Sequence, residues 1–309
     1  MSVLAAGLVL LVLAAGSAHA QEALPAATEG QAWWVWALAL FVVTFFLGIV
    51  AVLGGVGGGV LFVPIVGGFF PFHLDFVRGA GLLVALAGAL AAGPGLLKSG
   101  MASLRLAVPL ALLASASAIA GAMVGLALPT NIVQLALGTT ILGIVALMLK
   151  AKKSEYPQVA ASDPLATALK MNGIYSDAYS GKDIDWKVHR TPQGLAMFVV
   201  IGIMAGMFGL GAGWANVPVL NLLMGAPLKV SVATSKFMLS IVDTAAAWVY
   251  LNQGAVLAII AVPSIIGVML GSLVGVRLLK RTNAGVVRKV VITMLLLAGS
   301  RALLKGFGI

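Results

Sequence analysis

Long apolar segments with almost no charged residues follow one another along this chain, and they constrain its fold more than any other feature. A helix needs about 20 apolar residues to cross the hydrocarbon core of a bilayer. Charged residues make up only 9% of the 309 residues, whereas soluble domains carry about 25%. The sequence therefore predicts an all-α polytopic membrane protein, with the lipid bilayer as an obligatory partner.

Eight segments are long enough to be full spans, and two shorter apolar segments follow glycine-rich runs. The shorter segments are either broken crossing helices, which gives ten crossings, or re-entrant hairpins, which gives eight. The predicted full spans lie near residues 33–53, 76–98, 103–127, 131–150, 193–210, 228–251, 255–279 and 284–304, and the shorter segments near 57–70 and 213–224.

The distribution of basic residues favours ten crossings. Lysine and arginine concentrate in the cytoplasmic loops of membrane proteins. If the chain starts outside, ten crossings place every basic residue inside except Arg78, Arg301 and Lys305, whereas eight crossings place most of them outside. We therefore expect a multi-pass protein of the inner (cytoplasmic) membrane.

Two segments lie outside the predicted spans. Residues 1–20 end in Ala18-His19-Ala20 after an apolar stretch and resemble a cleavable signal peptide, but the usual basic residue before that stretch is missing. Cleavage and an uncleaved extra helix both remain open. Residues 151–192 hold five of the nine acidic residues and are predicted to be a polar cytoplasmic linker, either a plain connector or a regulatory element.

An internal repeat divides the rest of the chain. "GVGGGVLFVP" (Gly55–Pro64) is similar to "GLGAGWANVP" (Gly209–Pro218) 154 residues later, and "AVP" at 107–109 recurs at 261–263 with the same offset. "GAMVG" at 121–125 is followed by "GSLVG" at 271–275. The pattern predicts an N-terminal transmembrane repeat, 33–150, and a C-terminal one, 193–305. Five crossings in each repeat would give them opposite orientations, an arrangement typical of secondary transporters.

The duplicated glycine–proline segments predict broken helices near the middle of the membrane. Glycine adopts conformations that other residues resist, and proline removes a backbone donor. Helix N-termini freed in this way attract anions. The candidate site glycines are Gly57, Gly58, Gly59, Gly211 and Gly213. Close helix packing is the alternative explanation for these glycines.

The two glycine–proline segments, "ATSKF" (Ala233–Phe237) and the basic loop before the last span resemble those of the TauE/SafE family of membrane permeases. This resemblance implies transport of sulfite, organosulfonates or related small anions, with export as the direction. The first repeat has "RGAGL" (Arg78–Leu82) where the second has "ATSKF", so the two halves differ chemically.

Polar residues of the second repeat are the strongest candidates for binding an anion. Lys236, with Thr234 and Ser235, offers one positive charge and two hydroxyl groups, unless Lys236 only extends to the membrane surface. Asn216 would bind an oxyanion or cap freed backbone groups. Trp214 would line the site or pack against its neighbours.

Two further charged residues are candidates for other roles. Asp243 lies within a predicted span, where a charge is costly and often functional. It would carry a coupling proton or serve as a structural hydrogen-bond partner. Arg78, at the outer end of a span, would attract anions at the mouth of the pathway or anchor the helix at the interface.

An intramembrane enzyme is disfavoured, because the chain has no cysteine, no histidine within a span and one clear acid within a span. We expect no cofactor and no metal site. The basic residues show no interleaving with aromatic residues, so nucleic acid is not an expected partner. The predicted function is a secondary transporter that works by alternating access, with an anion channel or a membrane scaffold as the alternatives. The sequence carries no signal for an oligomeric state.

Overall fold

The computed structural model describes residues 33–54, 57–98, 102–150, 157, 159–177, 182–279 and 284–308. The predicted signal peptide at 1–20 lies outside the described residues. The first half contains α1 (Trp33–Gly54), α2 (Gly58–Phe69), α3 (Leu74–Lys98), α4 (Leu104–Ala127) and α5 (Thr130–Lys150). The second half contains α7 (Thr191–Phe208), α8 (Gly213–Pro218, continued by a π-helical turn, Val219–Leu223), α9 (Leu228–Asn252), α10 (Ala258–Leu279) and α11 (Ala284–Gly306).

The prediction of an all-helical membrane protein is confirmed. Each of the ten predicted apolar segments forms a helix. Six helices of the described chain are long and apolar enough to cross a membrane: α1, α3, α4, α7, α9 and α10. Because α2, α5, α8 and α11 do not meet these criteria, the number of crossings stays a prediction.

Helices of the two halves pack in matching pairs. α1 packs along α10, and α4 packs along α7. The two pairs correspond, because α7 of the second half is the counterpart of α1, and α10 is the counterpart of α4. In both pairs, residues later in one helix contact residues later in the other, which shows that the paired helices run parallel. In the pairs α3–α9 and α5–α11, each helix packs against its own counterpart, and the two run antiparallel.

Glycines bring the backbones of the parallel pairs into contact. Gly267, Gly271 and Gly275 of α10 lie against the backbone of α1. In α4, a methyl group added at Gly125 would lie 2.7 Å from the Met207 carbonyl oxygen of α7. The duplicated "GAMVG" and "GSLVG" segments therefore serve close helix packing, which membrane helices use because small residues let backbones approach.

The three basic residues that ten crossings would leave outside all donate hydrogen bonds to backbone carbonyl groups. Arg78 binds the carbonyl oxygens of Gly125 and Met207, close to the C-terminal ends of α4 and α7. Arg301 Nε lies 2.6 Å from the Gly68 oxygen, and Lys305 Nζ lies 2.9 Å from the Gly67 oxygen, in the last turn of α2. Cations at a helix C-terminus complement its unpaired carbonyl groups and its dipole. These exceptions to the charge distribution therefore have structural partners.

The described part of the linker is folded. It contains a short helix, α6 (Pro164–Ala168), and an antiparallel hairpin of β1 (Gly173–Asp177) and β2 (Lys182–Trp186), with Gly173 opposite Trp186. Asp163 accepts hydrogen bonds from the backbone N–H groups of Ala166 and Thr191, both at 2.6 Å. Asp163 thus caps α6 and joins the linker to the start of α7.

Candidate functional site

The second glycine–proline segment interrupts the helical structure between α7 and α8. Gly209 and Gly211 have φ angles of 67° and 71°, in the left-handed region that favours glycine. Pro218 ends α8 and lacks a backbone N–H group. A π-helical turn follows, closed by the bond from the Met224 N–H group to the Val219 carbonyl oxygen at 2.9 Å. Such turns interrupt helices at functional sites more often than elsewhere.

The two short helices meet at their N-terminal ends. Gly57 precedes α2, and Gly213 is the first residue of α8. A methyl group added at Gly213 would lie 3.2 Å from both Cα and N of Gly57, and one added at Gly59 would lie 2.6 Å from the Leu210 carbonyl oxygen. The duplicated segments are therefore in direct backbone contact at the centre of the helix packing.

Asp243 of α9 faces this junction and is fully buried. Its Oδ2 atom would lie 3.0 Å from a methyl group added at Gly211, and the Ala212 N–H group is nearby. Neither carboxylate oxygen completes a hydrogen bond with the described part of the chain. Lys236, half-buried on the same face of α9, attracts Asp243 electrostatically, but no salt bridge joins the two.

Polar atoms of α8 also lack partners among the described residues. Asn216 is fully buried, and neither its amide nitrogen nor its amide oxygen is hydrogen-bonded there. The indole N–H group of Trp214 is buried and likewise unpaired. Buried polar groups without partners are uncommon and costly, which makes them candidates for binding a ligand or water.

Other predicted site residues have structural contacts. Thr234 Oγ1 accepts a hydrogen bond from the Ser103 N–H group at 3.1 Å, just before α4. Gly58 packs between the side chains of Val84 and Val268. Ser235 is buried, with 2% of its surface exposed. The structure thus gathers Gly57, Gly211, Gly213 and Asp243 at one junction, with Asn216 one turn into α8.

Arg78 lies inside the protein, with 1% of its surface exposed. Besides the two carbonyl oxygens, its guanidinium group pairs with Asp75 and lies 5.8 Å from the ring centroid of Tyr250. The Tyr250 hydroxyl group donates to the Gly206 carbonyl oxygen at 2.9 Å. Asp75 and Tyr250 were not among the predicted site residues, although Asp75 precedes Arg78 by three residues, a spacing at which helix side chains meet. The role of Arg78 at a mouth stays a prediction.

The two halves differ chemically at this junction. At the 154-residue offset, the counterparts of Asn216, Lys236 and Asp243 are Phe62, Leu82 and Ala89. Among the described residues of this junction, the unpaired polar groups therefore come from the second half, while the first half contributes backbone and apolar side chains.

Two further features bear on ligands. A groove of about 540 Å³ between α1 and α10 is lined by apolar side chains, among them Phe41, Ile259 and Ile266, and it suits an acyl chain better than an anion. In the described part of the chain, no three histidine or acidic side chains lie close enough together to hold a metal ion.

Apolar helices that pack through glycine contacts around a broken, polar centre define a polytopic membrane protein, and broken helices of this kind recur in secondary transporters. Comparison with known proteins agrees with this class. The family model "Sulfite exporter TauE/SafE" matches residues 40–302, and the chain belongs to this family. The family is one of membrane transporters, which is not a class of enzymes, and the long apolar helices are those of a multi-pass membrane protein.

Individual relatives add less detail. The chain is similar to the "Probable membrane transporter protein YunE" of Bacillus subtilis (strain 168), with 26% identity over 118 residues. That match covers 38% of this chain and 43% of the relative, so the chain matches less than half of that protein's length. No solved structure matches the chain.

Proposed function

We propose that this protein is a secondary transporter of small anions, with sulfite or organosulfonates as substrates and export from the cytoplasm as the direction. The anion would bind where α2 and α8 meet, and transport would proceed by alternating access. The family name supports the substrate class and the direction. The observation that carries the location is the unpaired, fully buried amide of Asn216 beside the junction of Gly57 with Gly213.

The chemistry of the junction suits an oxyanion. The first N–H groups of α2 have no partner within that helix. The Asn216 amide group can donate a hydrogen bond, and Lys236 supplies a positive charge on the face of α9 that holds Asp243. Because Gly57 and Gly213 touch, the two helix ends must separate before an anion fits between them. This requirement supports a carrier that changes conformation over a permanently open channel.

The orientation of the two halves supports the alternating-access part of the proposal. The antiparallel pairs α3–α9 and α5–α11 are what an inverted repeat of five helices would produce, because each pairs a helix with its own counterpart. Ten crossings would then place the chain start outside and the 151–192 linker in the cytoplasm of an inner-membrane protein.

Asp243 is the proposed coupling residue. Its carboxylate at Gly211 would repel an anion bound at the same junction, and protonation would remove that repulsion. Anion binding would therefore be accompanied by proton uptake. We expect Asp243→Asn to retain sulfite exchange but lose its response to a pH gradient, measured as gradient-driven uptake in proteoliposomes. Full gradient-driven transport in this variant would remove Asp243 from the coupling mechanism.

The site itself is tested by sulfite counterflow in proteoliposomes. Asn216→Ala and Lys236→Ala should each lower the initial rate at least tenfold, while the same changes at the exposed Asn252 and Lys187 should not. A loss of about 1.4 kcal/mol in binding corresponds to tenfold, which is within the range of one hydrogen bond to a charged group. Full counterflow in both site variants would place the site elsewhere. A channel would instead pass current without a saturable exchange phase.

A further inference from the structure

The glycine contacts join helices of different repeats more closely than alternating access between rigid repeats permits. Along α1 and α10, Phe41, Phe45 and Ile49 lie against successive glycines of α10. Along α4 and α7, backbone contact runs from Ala114 to Gly125. We call these two parallel pairs the glycine seams. Separation of the two repeats would open both seams over several turns, with loss of backbone packing that no side chain could replace.

The seams instead divide eight of the ten apolar helices into two mixed bundles, while α5 and α11 pack against each other. The first bundle contains α1, α2 and α3 with α10, and the second contains α7, α8 and α9 with α4. Within each bundle, the helix from the other repeat also packs against the central helix: α10 against α3, and α4 against α9. The contact of Gly57 with Gly213 and the antiparallel packing of α3 against α9 join one bundle to the other, so the proposed anion site lies between the bundles.

Arg78 joins the two bundles at one end. It belongs to α3 of the first bundle, and its guanidinium group donates to the carbonyl oxygens of Gly125 in α4 at 3.1 Å and Met207 in α7 at 2.8 Å, both in the second bundle. The ring of Tyr250 in α9 lies beside it. Bonds from a buried cation to two backbone carbonyls are strong only while both helices stay in place. At the 154-residue offset the second repeat has Val232, which cannot form an equivalent contact.

We propose that the two mixed bundles are the bodies that move during transport. We further propose that Arg78 is a latch, a residue that holds the two bundles together at the end of the anion site where it binds Gly125 and Met207. This inference rests on the proposed transport function but is separable from the choice of substrate. Opening toward that end requires the bonds from Arg78 to Gly125 and Met207 to break, while both glycine seams remain closed.

Spin labels on exposed positions near the Arg78 end distinguish this motion from a motion of the repeats, and the chain has no cysteine that would interfere. The labelled variants are Leu38→Cys in α1, Met123→Cys in α4, Ile203→Cys in α7 and Ile266→Cys in α10, all at side chains at least 38% exposed. The pairs Leu38–Ile266 and Met123–Ile203 each span a seam between repeats. The pair Leu38–Met123 lies within one repeat but between bundles.

The perturbation is Arg78→Gln, with Arg78→Lys as a milder change that keeps the charge. We expect the Leu38–Met123 distance, measured by electron paramagnetic resonance, to increase by about 5 Å, roughly one helical turn. Both seam distances should stay constant. Tyr250→Phe is the matched control, because it removes an equally buried hydrogen bond that lies within the second bundle, and it should leave all three distances unchanged.

Two outcomes would overturn the inference. Seam distances that change while Leu38–Met123 stays constant would show that the repeats move as rigid bodies. Unchanged distances in a folded, monodisperse Arg78→Lys or Arg78→Gln protein would show that Arg78 is no latch. Sulfite counterflow in the unlabelled parent is a separate readout: its failure would count against the proposed substrate, while the distances would still decide which helices move.

Discussion

Replacement of Gly211 by alanine tests the geometry of the helix break. Gly211 has a φ angle of 71°, and an alanine in this left-handed region costs roughly 1–2 kcal/mol. The added methyl group would lie 3.0 Å from both Oδ2 of Asp243 and Cβ of Ala85. Both neighbours are buried, so at least one must shift, at a cost of about 1–3 kcal/mol. The total is roughly 2–5 kcal/mol.

The assay has two parts, because this cost would affect both folding and transport. We expect Gly211→Ala to lower the melting temperature of the purified protein in detergent. If only about 2 kcal/mol falls on one step of the transport cycle, sulfite counterflow slows about thirtyfold. Gly143→Ala is the matched control, since a methyl group there meets no atom within 4 Å and its helix tolerates alanine. A Gly211→Ala protein with unchanged melting temperature and full counterflow would refute the described break.

Two further predictions concern contacts away from the junction. Arg301→Gln removes the hydrogen bond to the Gly68 carbonyl oxygen at the end of α2. Because Arg301 is exposed, the change should lower the stability of the protein by only about 1 kcal/mol, measured by thermal melting with Lys187→Gln as the control. Equal melting temperatures of the two variants would contradict this prediction. Burial alone would raise the pKa of Asp163, but hydrogen bonds from the backbone of Thr191 and Ala166 outweigh burial and lower it. The stabilisation of the linker by Asp163 is therefore complete above the pKa of the unfolded chain and is lost as the pH falls through the lower folded value. Protection of the Thr191 amide against hydrogen exchange, measured relative to the intrinsic exchange rate at each pH, should fall in acid in the parent and already at neutral pH in Asp163→Asn. A fully protected amide in both proteins would contradict the contact.

The local features of the fold were accessible from the sequence. Apolar length located the helices to within a few residues, because a bilayer imposes a nearly constant span. The run from Gly209 to Pro218 predicted the break, because left-handed glycines and a proline cannot continue an α-helix. The duplicated prolines Pro64 and Pro218 do lie in corresponding short helices.

The distant residues that these side chains contact could not be predicted from the sequence. The sequence identifies Arg78, Arg301 and Lys305 as exceptions to the charge distribution, but the carbonyl groups that bind them belong to distant helices. Thr234 was a plausible anion ligand by composition, whereas its hydroxyl oxygen already accepts from Ser103, 131 residues earlier. Glycine spacing in "GAMVG" predicts close packing without naming the partner helix. Such pairings depend on how ten helices assemble, which no local pattern encodes.

The candidate site combines predictable and unpredictable features. The sequence predicted that the two glycine runs face one another in one anion site and that the two halves differ chemically, and the structure does bring Gly57 and Gly213 together. However, the unpaired polar atoms that α8 and α9 contribute to this region belong to Asn216, Trp214 and Asp243, all in the second half. The asymmetry follows from side-chain identity rather than from the repeated backbone.

The central claim is that the protein is a carrier with a saturable anion site between α2 and α8. The most direct measurement is isotopic counterflow: proteoliposomes loaded with unlabelled sulfite are diluted into a trace of labelled sulfite, and the internal label is followed over time. The account predicts a transient accumulation of label that saturates with sulfite concentration and disappears in Asn216→Ala. Uptake that stays proportional to concentration, or an absence of counterflow in a folded parent protein, would contradict the claim that this protein is a sulfite carrier.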